Sequence, residues 1–187
     1  MKHLVVGTTD LLLEKAASEF LEKGYEKASL RKIASDSGVS THTIYTRFGD
    51  KAGLFNILVK DTASELCNLI TLNPAMNDEQ RINIILNFIY SNYKVFKLIF
   101  CKSRGSEYEA FIETLTSIEE KNMKQRLKKE NKKFQDYFLI HRTCKNLYLD
   151  FYEIVEKDYS LIKAKEYMKH INLFRNAGWK AILENKQ

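Results

Sequence analysis

The chain has 187 residues, a net charge of +6 at pH 7 and a hydrophobic content of 44%, which is enough to build a sizeable core. Its single proline and seven glycines favour long helices over many short strands. The sequence contains no apolar stretch that could span a bilayer, no signal-peptide pattern and only three widely spaced cysteines, so we expect a cytoplasmic protein without disulfides or a membrane partner.

The first helix is predicted from apolar residues that recur at helical spacing near the N-terminus. Its buried stripe is predicted to consist of Leu13, Ala17, Phe20 and Leu21. Gly24 follows this stripe and is typical of a residue that ends a helix, because glycine readily adopts the left-handed backbone conformation.

The next segment has the residue types of two short helices joined by a tight turn. Ser29 and Ser40 are the predicted N-caps of the two helices. Gly38 can adopt the left-handed conformation that the turn needs, and Val39 can act as an apolar plug. The buried faces are predicted to consist of Leu30, Ile33 and Ala34 on the first helix and of Ile44 and Phe48 on the second. This pattern predicts a helix-turn-helix at about residues 29–48.

A fourth helix is predicted to begin at a cap formed by Asp50. Its inward face is predicted to consist of Leu54, Phe55, Leu58, Thr62 and Leu66. The polar segment 71–79, which contains the only proline, Pro74, interrupts the helical pattern near the boundary between two domains.

The rest of the chain is predicted to be helical, with no convincing strand. Capping boxes are expected at Asn77 with Gln80 and at Ser106 with Glu109, and a bend is expected near Asn92. Inward positions before and after the bend are Ile82, Ile85, Leu86, Ile89 and Tyr93, then Phe96, Ile99 and Phe100. The last two helices, at about 135–157 and 161–185, are predicted to place in the core Phe138, Leu147, Phe151, Ile154 and Val155, and Ile171, Phe174, Trp179 and Ile182.

One joint pattern in the first third of the chain resembles a known family. It consists of F-x-x-x-G-Y at 20–25, I-A-x-x-x-G-V-S at 33–40, I-Y-x-x-F at 44–48 and Lys51. This pattern is similar to that of the tetracycline-repressor (TetR/AcrR) family of one-component regulators. Two positions depart from the family pattern, since Ser37 stands where alanine is usual and His42 where glycine is common.

The resemblance implies an all-α protein in which an N-terminal three-helix DNA-binding head joins a larger C-terminal helical domain for ligand binding and dimerisation. We expect the head at residues 1–50, with the family domain at about 6–66, and the larger domain at residues 51–187. The last two helices are expected to form the homodimer interface.

The resemblance also assigns roles to residues of the helix-turn-helix. At the start of the recognition helix, Ser40 is the cap, and Thr41, His42 and Thr43 are candidates for contacts with base edges. Candidates for contacts with the phosphate backbone are Tyr45, Lys51, Arg31, Lys32, Thr46 and Arg47.

Each of these assignments has an alternative that the sequence leaves open. Arg31 and Lys32 could form a solvated helix face, and His42 could be a surface residue that contacts no base. The Tyr45 ring could pack in the small core, and Lys51 could serve only to cap the fourth helix.

A ligand pocket in the larger domain is a further implication of the resemblance. Its candidate lining consists of Tyr90, Tyr93, Phe96, Phe100 and His141. The aromatic residues of this set could equally be plain core, because they recur at helical spacing.

Two other features have a functional and a structural explanation. The lysine-rich stretch 121–133 could be a second nucleic-acid patch or the solvated end of a helix. His141 and Cys144 lie three residues apart, but two ligands do not make a metal site, so we expect a buried histidine and a core thiol.

Together these patterns predict a transcriptional regulator that binds a palindromic operator in double-stranded DNA as a homodimer. We expect it to act as a repressor that an unknown small-molecule effector releases, without a cofactor or metal. The sequence contains no P-loop, dinucleotide-binding glycine pattern, nucleophile elbow or H-E-x-x-H motif, so an enzyme is not expected. The alternative is a TetR-like protein-interaction module or ligand-binding scaffold that does not bind an operator.

Overall fold

A computed structural model describes residues 2–72, 78–129 and 136–184 of the chain. The described residues form nine helices and no strand, as the predicted all-α fold requires. Their bounds are α1 Lys2–Lys27, α2 Leu30–Asp36, α3 Thr41–Phe48, α4 Lys51–Leu72, α5 Asp78–Ser91, α6 Tyr93–Cys101, α7 Phe111–Lys129, α8 Tyr137–Glu156 and α9 Leu161–Glu184. Pro74, Asn77 and residues 130–135 and 185, to which the sequence patterns also assigned features, lie outside the described residues.

Over this described part of the chain, no single helix is both long and apolar enough to cross a membrane. Only α5 and α6 taken together reach that length and composition, and the two are separated by a bend. The bend lies at Asn92, between the last residue of α5 and the first of α6, where the sequence predicted it.

The helices group into two compact units. Unit 1 comprises the residues up to Ser64 together with Lys94–Phe111. Unit 2 comprises Glu65–Tyr93 and the residues from Ile112 onwards. The helix-turn-helix lies wholly in unit 1, which also takes in the first part of α4 and most of α6.

The buried stripe of α1 lies one residue away from its predicted position. The fully buried apolar side chains of this helix are Leu12, Ala16 and Phe20. The other members of the predicted stripe, which are only half-buried, are Leu13, Ala17 and Leu21. The prediction was right for Phe20 and wrong for the other three. Residues four apart lie on one row of a helix, but α1 has two neighbouring apolar rows, and their spacing does not show which one is buried.

Gly24 interrupts α1 as predicted. Its φ of 77° and ψ of 160° are not helical, and φ in this range favours glycine. The next residue, Tyr25, donates its backbone N–H to the carbonyl of Lys102 at 2.8 Å instead of to its own helix. A short turn then leads to Ala28 and to the start of α2.

In α4, the predicted inward face is partly wrong. Leu54, Phe55 and Leu66 are buried as expected. The other two predicted positions, Leu58 and Thr62, are half-buried. Their places in the core are taken by Val59, Ala63 and Ile70. The Phe55 ring packs edge-on against Phe20, with ring centroids 5.0 Å apart, and so joins α4 to α1 within unit 1.

The predicted capping box at Ser106 and Glu109 does not begin a helix, because α7 starts at Phe111. The Ser106 hydroxyl accepts from the N–H of Tyr108, two residues on, and the Glu109 carboxylate accepts from the N–H of Gly105. Such local bonds from serine offer the backbone an alternative to a helical turn. Residues 102–110 therefore form consecutive turns.

Unit 2 has a core of α5 and α8 side chains that the sequence identified correctly. These buried residues are Ile82, Ile85, Leu86 and Ile89 on α5 and Leu147, Phe151, Ile154 and Val155 on α8. The buried side chains of α9 are instead Ala164, Met168 and Asn172.

The remaining core predictions for the last two helices fail, except that the half-buried Trp179 packs against the buried cluster of Leu127, Ile140 and Cys144. Phe138 is 78% exposed, Phe174 is 79% exposed and Ile182 is 37% exposed. Ile171 and Trp179 are half-buried. Helical spacing shows that apolar residues share a face, but it does not show whether that face packs within the chain or against another molecule.

Candidate functional site

The turn between α2 and α3 is built as the sequence predicted. The Ser29 hydroxyl accepts from the N–H of Lys32 at 3.4 Å and caps α2. Gly38 has a φ of 67°, and the N–H of Val39 returns to the carbonyl of Ala34 at 3.0 Å. Val39 is half-buried, so it plugs the corner only in part.

The N-terminus of α3 is capped by Ser40. Its hydroxyl accepts from the N–H of Thr43 at 3.1 Å, and the two side-chain oxygens are 3.0 Å apart. Ile44 is fully buried and anchors the helix, whereas Phe48 is half-buried. The helix therefore begins directly after the exposed residue Ser40, and the N-terminus of a helix favours anions.

The opposite face of α3 carries polar side chains to solvent. His42, Thr46 and Arg47 are exposed, and Tyr45 is 52% exposed, so its ring does not pack in the core. The Thr46 hydroxyl donates to the carbonyl of His42 at 2.9 Å, and Arg47 donates to the hydroxyl of Thr9 at 2.7 Å.

Thr41 and Thr43 lie beside this face and are half-buried. The structure thus brings together on one helix seven of the ten predicted DNA-contacting residues, counting the Ser40 cap.

The three other predicted contact residues differ in their surroundings. Arg31 is exposed on α2. Lys32 is exposed but lies 2.7 Å from Asp36 and 3.6 Å from Glu19, and its hydrogen bond to Asp36 raises its pKa. The Lys32 ammonium therefore already faces two carboxylates.

Lys51 joins the end of α1 to the start of α4. Its ammonium donates to the carbonyls of Glu26 at 3.0 Å and Ala28 at 3.5 Å, and it lies 4.9 Å from the centroid of the Tyr25 ring. An ammonium has three donors, so one remains for a further acceptor. Asp50 provides the predicted cap, accepting from the N–H of Gly53 at 2.8 Å.

Two residues that position the helix-turn-helix were missed. Glu19 is buried, and its carboxylate accepts from the N–H of Ser29 at 3.1 Å, which ties α1 to the start of α2. A Cβ on Gly53 would lie 1.8 Å from the carbonyl oxygen of Phe48, so only glycine lets α4 begin this close to the end of α3. A charged residue inside an apolar row was the available signal for Glu19. A close approach between two backbones leaves no such signal in the sequence.

Comparison with known proteins gives a family match that includes the helix-turn-helix. Residues 12–58, which contain α2 and α3, match the family model described as "Bacterial regulatory proteins, tetR family". The HTH-type transcriptional regulator BetI of Vibrio campbellii is 31% identical over 133 residues, which cover 66% of this chain and 67% of that protein. The chain belongs to the TetR family.

Two further relatives of this TetR-family regulator differ in how far the likeness extends. The BetI regulator of Vibrio atlanticus is 32% identical over 108 residues, and the match covers 54% of each chain, or about half of that relative's length. A solved transcriptional regulator from Aquifex aeolicus VF5 superimposes with a TM-score of 0.64 over 89% of this chain and 99% of its own, at 20% identity. The first supports the family, and the second supports the fold. The matched proteins are themselves described as regulators of transcription.

Unit 2 of the TetR-family chain contains a cavity of about 140 Å³. Arg81, Arg126 and Arg175 line it together with Glu119 and the ring of Trp179. Glu119 is buried and accepts from Arg81 at 2.7 and 2.8 Å and from Arg126 at 2.9 Å. A charged network of this kind was not predicted from the sequence, where each of these residues appears as one more surface charge on a helix.

The five predicted pocket residues do not line this cavity. Tyr90 and Tyr93 lie in unit 2 with ring centroids 5.4 Å apart, and their hydroxyls donate to the carbonyls of Tyr159 and Val155. Phe96 and Phe100 are buried in unit 1, 5.5 Å apart.

His141 was expected to be buried, which was wrong. Its side chain is 45% exposed, and its Nδ1 lies 2.6 Å from a carboxylate oxygen of Glu120. Cys144 is a core thiol as expected, and burial raises its pKa to about 12. Among the described residues, no three His, Cys, Asp or Glu side chains are grouped so that they could hold a metal ion.

The lysine-rich stretch lies partly within the described residues. Lys121, Lys124, Lys128 and Lys129 are exposed along the second half of α7. This placement agrees with the solvated end of a helix.

Proposed function

We propose that this TetR-family regulator represses transcription by binding a palindromic operator as a homodimer and that a small molecule bound in unit 2 releases it. The observation that carries the DNA-binding part is the exposure of α3. This helix is fastened to unit 1 by Ile44 and turns His42, Tyr45 and Arg47 to solvent. A helix with one buried row, a polar outer face and a capped N-terminus has the form of a groove-reading helix.

Within this proposal, Thr41, His42 and Thr43 read base edges, because they lie on the first turn of α3. The backbone contacts come from Tyr45, Thr46, Arg47 and Arg31, which are exposed. Lys51 has a smaller share in phosphate binding than the resemblance implies, and Lys32 a smaller share still, because their ammonium groups already have partners in the chain.

The homodimer part rests on the outer faces of α8 and α9. The large exposed side chains of these helices include Phe138 and Leu149 on α8 and Leu173, Phe174 and Ile182 on α9. Ala177, Gly178 and Ala181 are also exposed on α9, at helical spacing with Phe174 and Ile182. Small residues between large ones let two helices approach closely, so this face suits a second copy of the same helices.

A two-fold dimer carries two copies of α3, so it fits a site whose two halves have matching symmetry. The two copies of α3 can be spaced so that they no longer fit the two half-sites. A ligand that binds this form of the dimer more tightly shifts the population away from the DNA-bound form. The alternative, a protein-interaction module, predicts no duplex binding.

The test of DNA binding is a selection of bound sequences from a random duplex pool, followed by affinity measurements at several salt concentrations. We expect affinity to fall steeply with salt and the salt slope to decrease by about 1 in Arg31→Gln, since one phosphate contact is lost. Arg104→Gln, which changes an exposed arginine outside the helix-turn-helix, is the matched control. Thr43→Val should alter base preference at particular positions. An Arg31→Gln, Tyr45→Phe double variant with unchanged affinity would contradict the assignment.

The test of dimerisation is sedimentation equilibrium of two matched variants. Phe174→Glu should shift the protein towards monomer, because a charge would be buried in an apolar interface. Ile57→Glu changes a residue of α4 that is 57% exposed and should leave the mass unchanged. A dimer that persists in Phe174→Glu, or a wild-type protein that is monomeric, would remove this part of the proposal.

A further inference from the structure

The cavity of unit 2 has one charged wall and one apolar wall. Its charged lining consists of Asp78, Arg81, Glu119, Arg126 and Arg175. Its apolar lining includes Met123, Leu127, Cys144, Leu147, Trp179 and Leu183. A volume of about 140 Å³ is roughly ten times what a single water molecule needs, so the cavity has room for a small organic molecule.

Arg81 is the arginine of this wall whose charge is balanced. It is only 2% exposed, and it donates to both oxygens of Glu119 and, at 3.1 Å, to Asp78. Burial alone would lower its pKa, but these two carboxylates raise it above the ordinary value. Both carboxylates of the lining are therefore engaged with Arg81.

Arg175 has no comparable compensation. Burial lowers its pKa, and the neighbouring carboxylates of Asp78 and Asp150 do not offset that effect. Its Nε and Nη1 are buried and have no hydrogen-bond partner among the residues that the structure describes. Nη1 of Arg126 and Nε of Arg81 are in the same condition, again counting only partners in the described chain.

Counting acceptors only in the described ranges, four buried guanidinium nitrogens without a hydrogen-bond partner thus belong to three arginines that line one cavity. Among the described residues that line the cavity, three guanidinium groups stand against two carboxylates, which leaves an excess of one positive charge in the lining; Asp150, which lies outside the lining, accepts from the Tyr167 hydroxyl at 3.1 Å. Unpaired buried donors and an unbalanced buried charge both destabilise a fold, and an anionic ligand in the cavity would supply an acceptor and a counter-charge at once.

We propose that this cavity binds a small organic monoanion, with a carboxylate held by Arg175 and Arg126 and an apolar body packed against Trp179 and Leu183. A carboxylate matches the planar fork of a guanidinium and carries the single negative charge that the wall lacks. The apolar wall excludes a purely inorganic anion as the best occupant, because such an ion would leave that surface facing water. As the identity of the effector, this inference rests on the proposed function; as a binding site, it stands separately.

The position of Trp179 makes the test direct, because it is the only tryptophan of the chain. Hexanoate titrated into the full-length protein should change the Trp179 fluorescence along a saturable curve. Hexanamide, which has the same size without the charge, should bind about tenfold more weakly, and inorganic phosphate should compete weakly or not at all. Equal affinities for hexanoate and hexanamide, or tighter binding of phosphate than of hexanoate, would overturn the proposal.

Two variants separate a ligand-binding arginine from a structural one. Arg175→Met should weaken hexanoate binding at least tenfold and leave Tm unchanged or higher, because it removes an unbalanced buried charge. Arg104→Gln should leave hexanoate affinity and Tm unchanged, since Arg104 is exposed in unit 1. A lower Tm or a lost dimer in Arg175→Met would mean that another part of the protein or its partner copy uses this guanidinium, and the proposal would be wrong.

DNA binding is measured on the same samples so that the two proposals fail separately. Duplex binding without a hexanoate signal would end the anion-site proposal and leave the regulator intact. A hexanoate signal that is lost in Arg175→Met, in a protein that binds no duplex, would support the site and end the proposed operator function.

Discussion

Arginines of unit 1 and arginines of the unit 2 cavity have contrasting surroundings. In unit 1, Arg31 and Arg47 lie at the surface on and beside α3, where water and salt screen them. In unit 2, Arg81 is buried and is balanced by the carboxylates of Glu119 and Asp78, whereas Arg175 is half-buried and burial lowers its pKa. An exposed arginine can contact the phosphates of a polyanion such as DNA. A buried arginine needs a single acceptor at a defined position. This difference is the physical basis for the two separate proposals, a DNA-binding surface on unit 1 and an anion-binding cavity in unit 2.

The largest effect should come from the buried network of unit 2. Glu119→Gln keeps the shape of the side chain but removes the carboxylate shared by Arg81 and Arg126. We expect a loss of about 3 kcal/mol in the free energy of unfolding, because Arg126 loses the carboxylate it donates to and the buried Arg81 keeps only Asp78. Urea unfolding measures this loss, with the exposed Glu166→Gln as control. Equal midpoints for the two variants would mean that the buried charges of unit 2 are as dispensable as surface ones.

A smaller effect is expected where unit 1 depends on backbone contact. Gly53→Ala would place a Cβ 1.8 Å from the Phe48 carbonyl oxygen and force the start of α4 away from α3. Overpacking of this kind costs about 2 kcal/mol. Gly7→Ala, with no atom within 4 Å of the new Cβ, is the matched control. Thermal unfolding should show a lower Tm for the first variant only, and the same Tm for both would refute the close approach.

The cap of α3 should contribute less again. Ser40→Ala removes the acceptor for the N–H of Thr43 and should lower the free energy of unfolding by about 1 kcal/mol. Ser35→Ala, an exposed position inside α2, should change it by less than about 0.5 kcal/mol. If both serines gave the same small change in urea unfolding, α3 would not depend on its cap.

The last prediction concerns the chemical reactivity of the Cys144 thiol in the unaltered chain. Burial holds its pKa at about 12, above the ordinary thiol value, so the reactive thiolate is scarce at neutral pH and increases about tenfold per pH unit up to that value. Iodoacetamide at pH 8 should modify Cys144 at least about a hundredfold more slowly in the folded protein than in urea. Peptide mass spectrometry measures both rates. Similar rates in the two states would show that this part of unit 2 is open to solvent.

The site residues show where sequence reasoning ends. The helix-turn-helix was predictable because its determinants are local: Ser29 and Ser40 cap, Gly38 turns and Ile44 anchors within a few residues of one another. The contacts of Lys51 with Glu26 and Ala28 were not predictable, because they join positions more than twenty residues apart. The same holds for Arg81 and Glu119, which are 38 residues apart.

By itself, the sequence determined the helical class, the position of the helix-turn-helix, the bend at Asn92 and the inward rows of α5 and α8, since helical spacing and capping act within one or two turns. The tertiary structure decided which of the two apolar rows of α1 is buried. It also decided that Phe138 and Phe174 remain outside the core and which charged side chains of unit 2 contact one another. Such outcomes depend on which helix packs against which face, and side chains far apart in the chain settle that choice together.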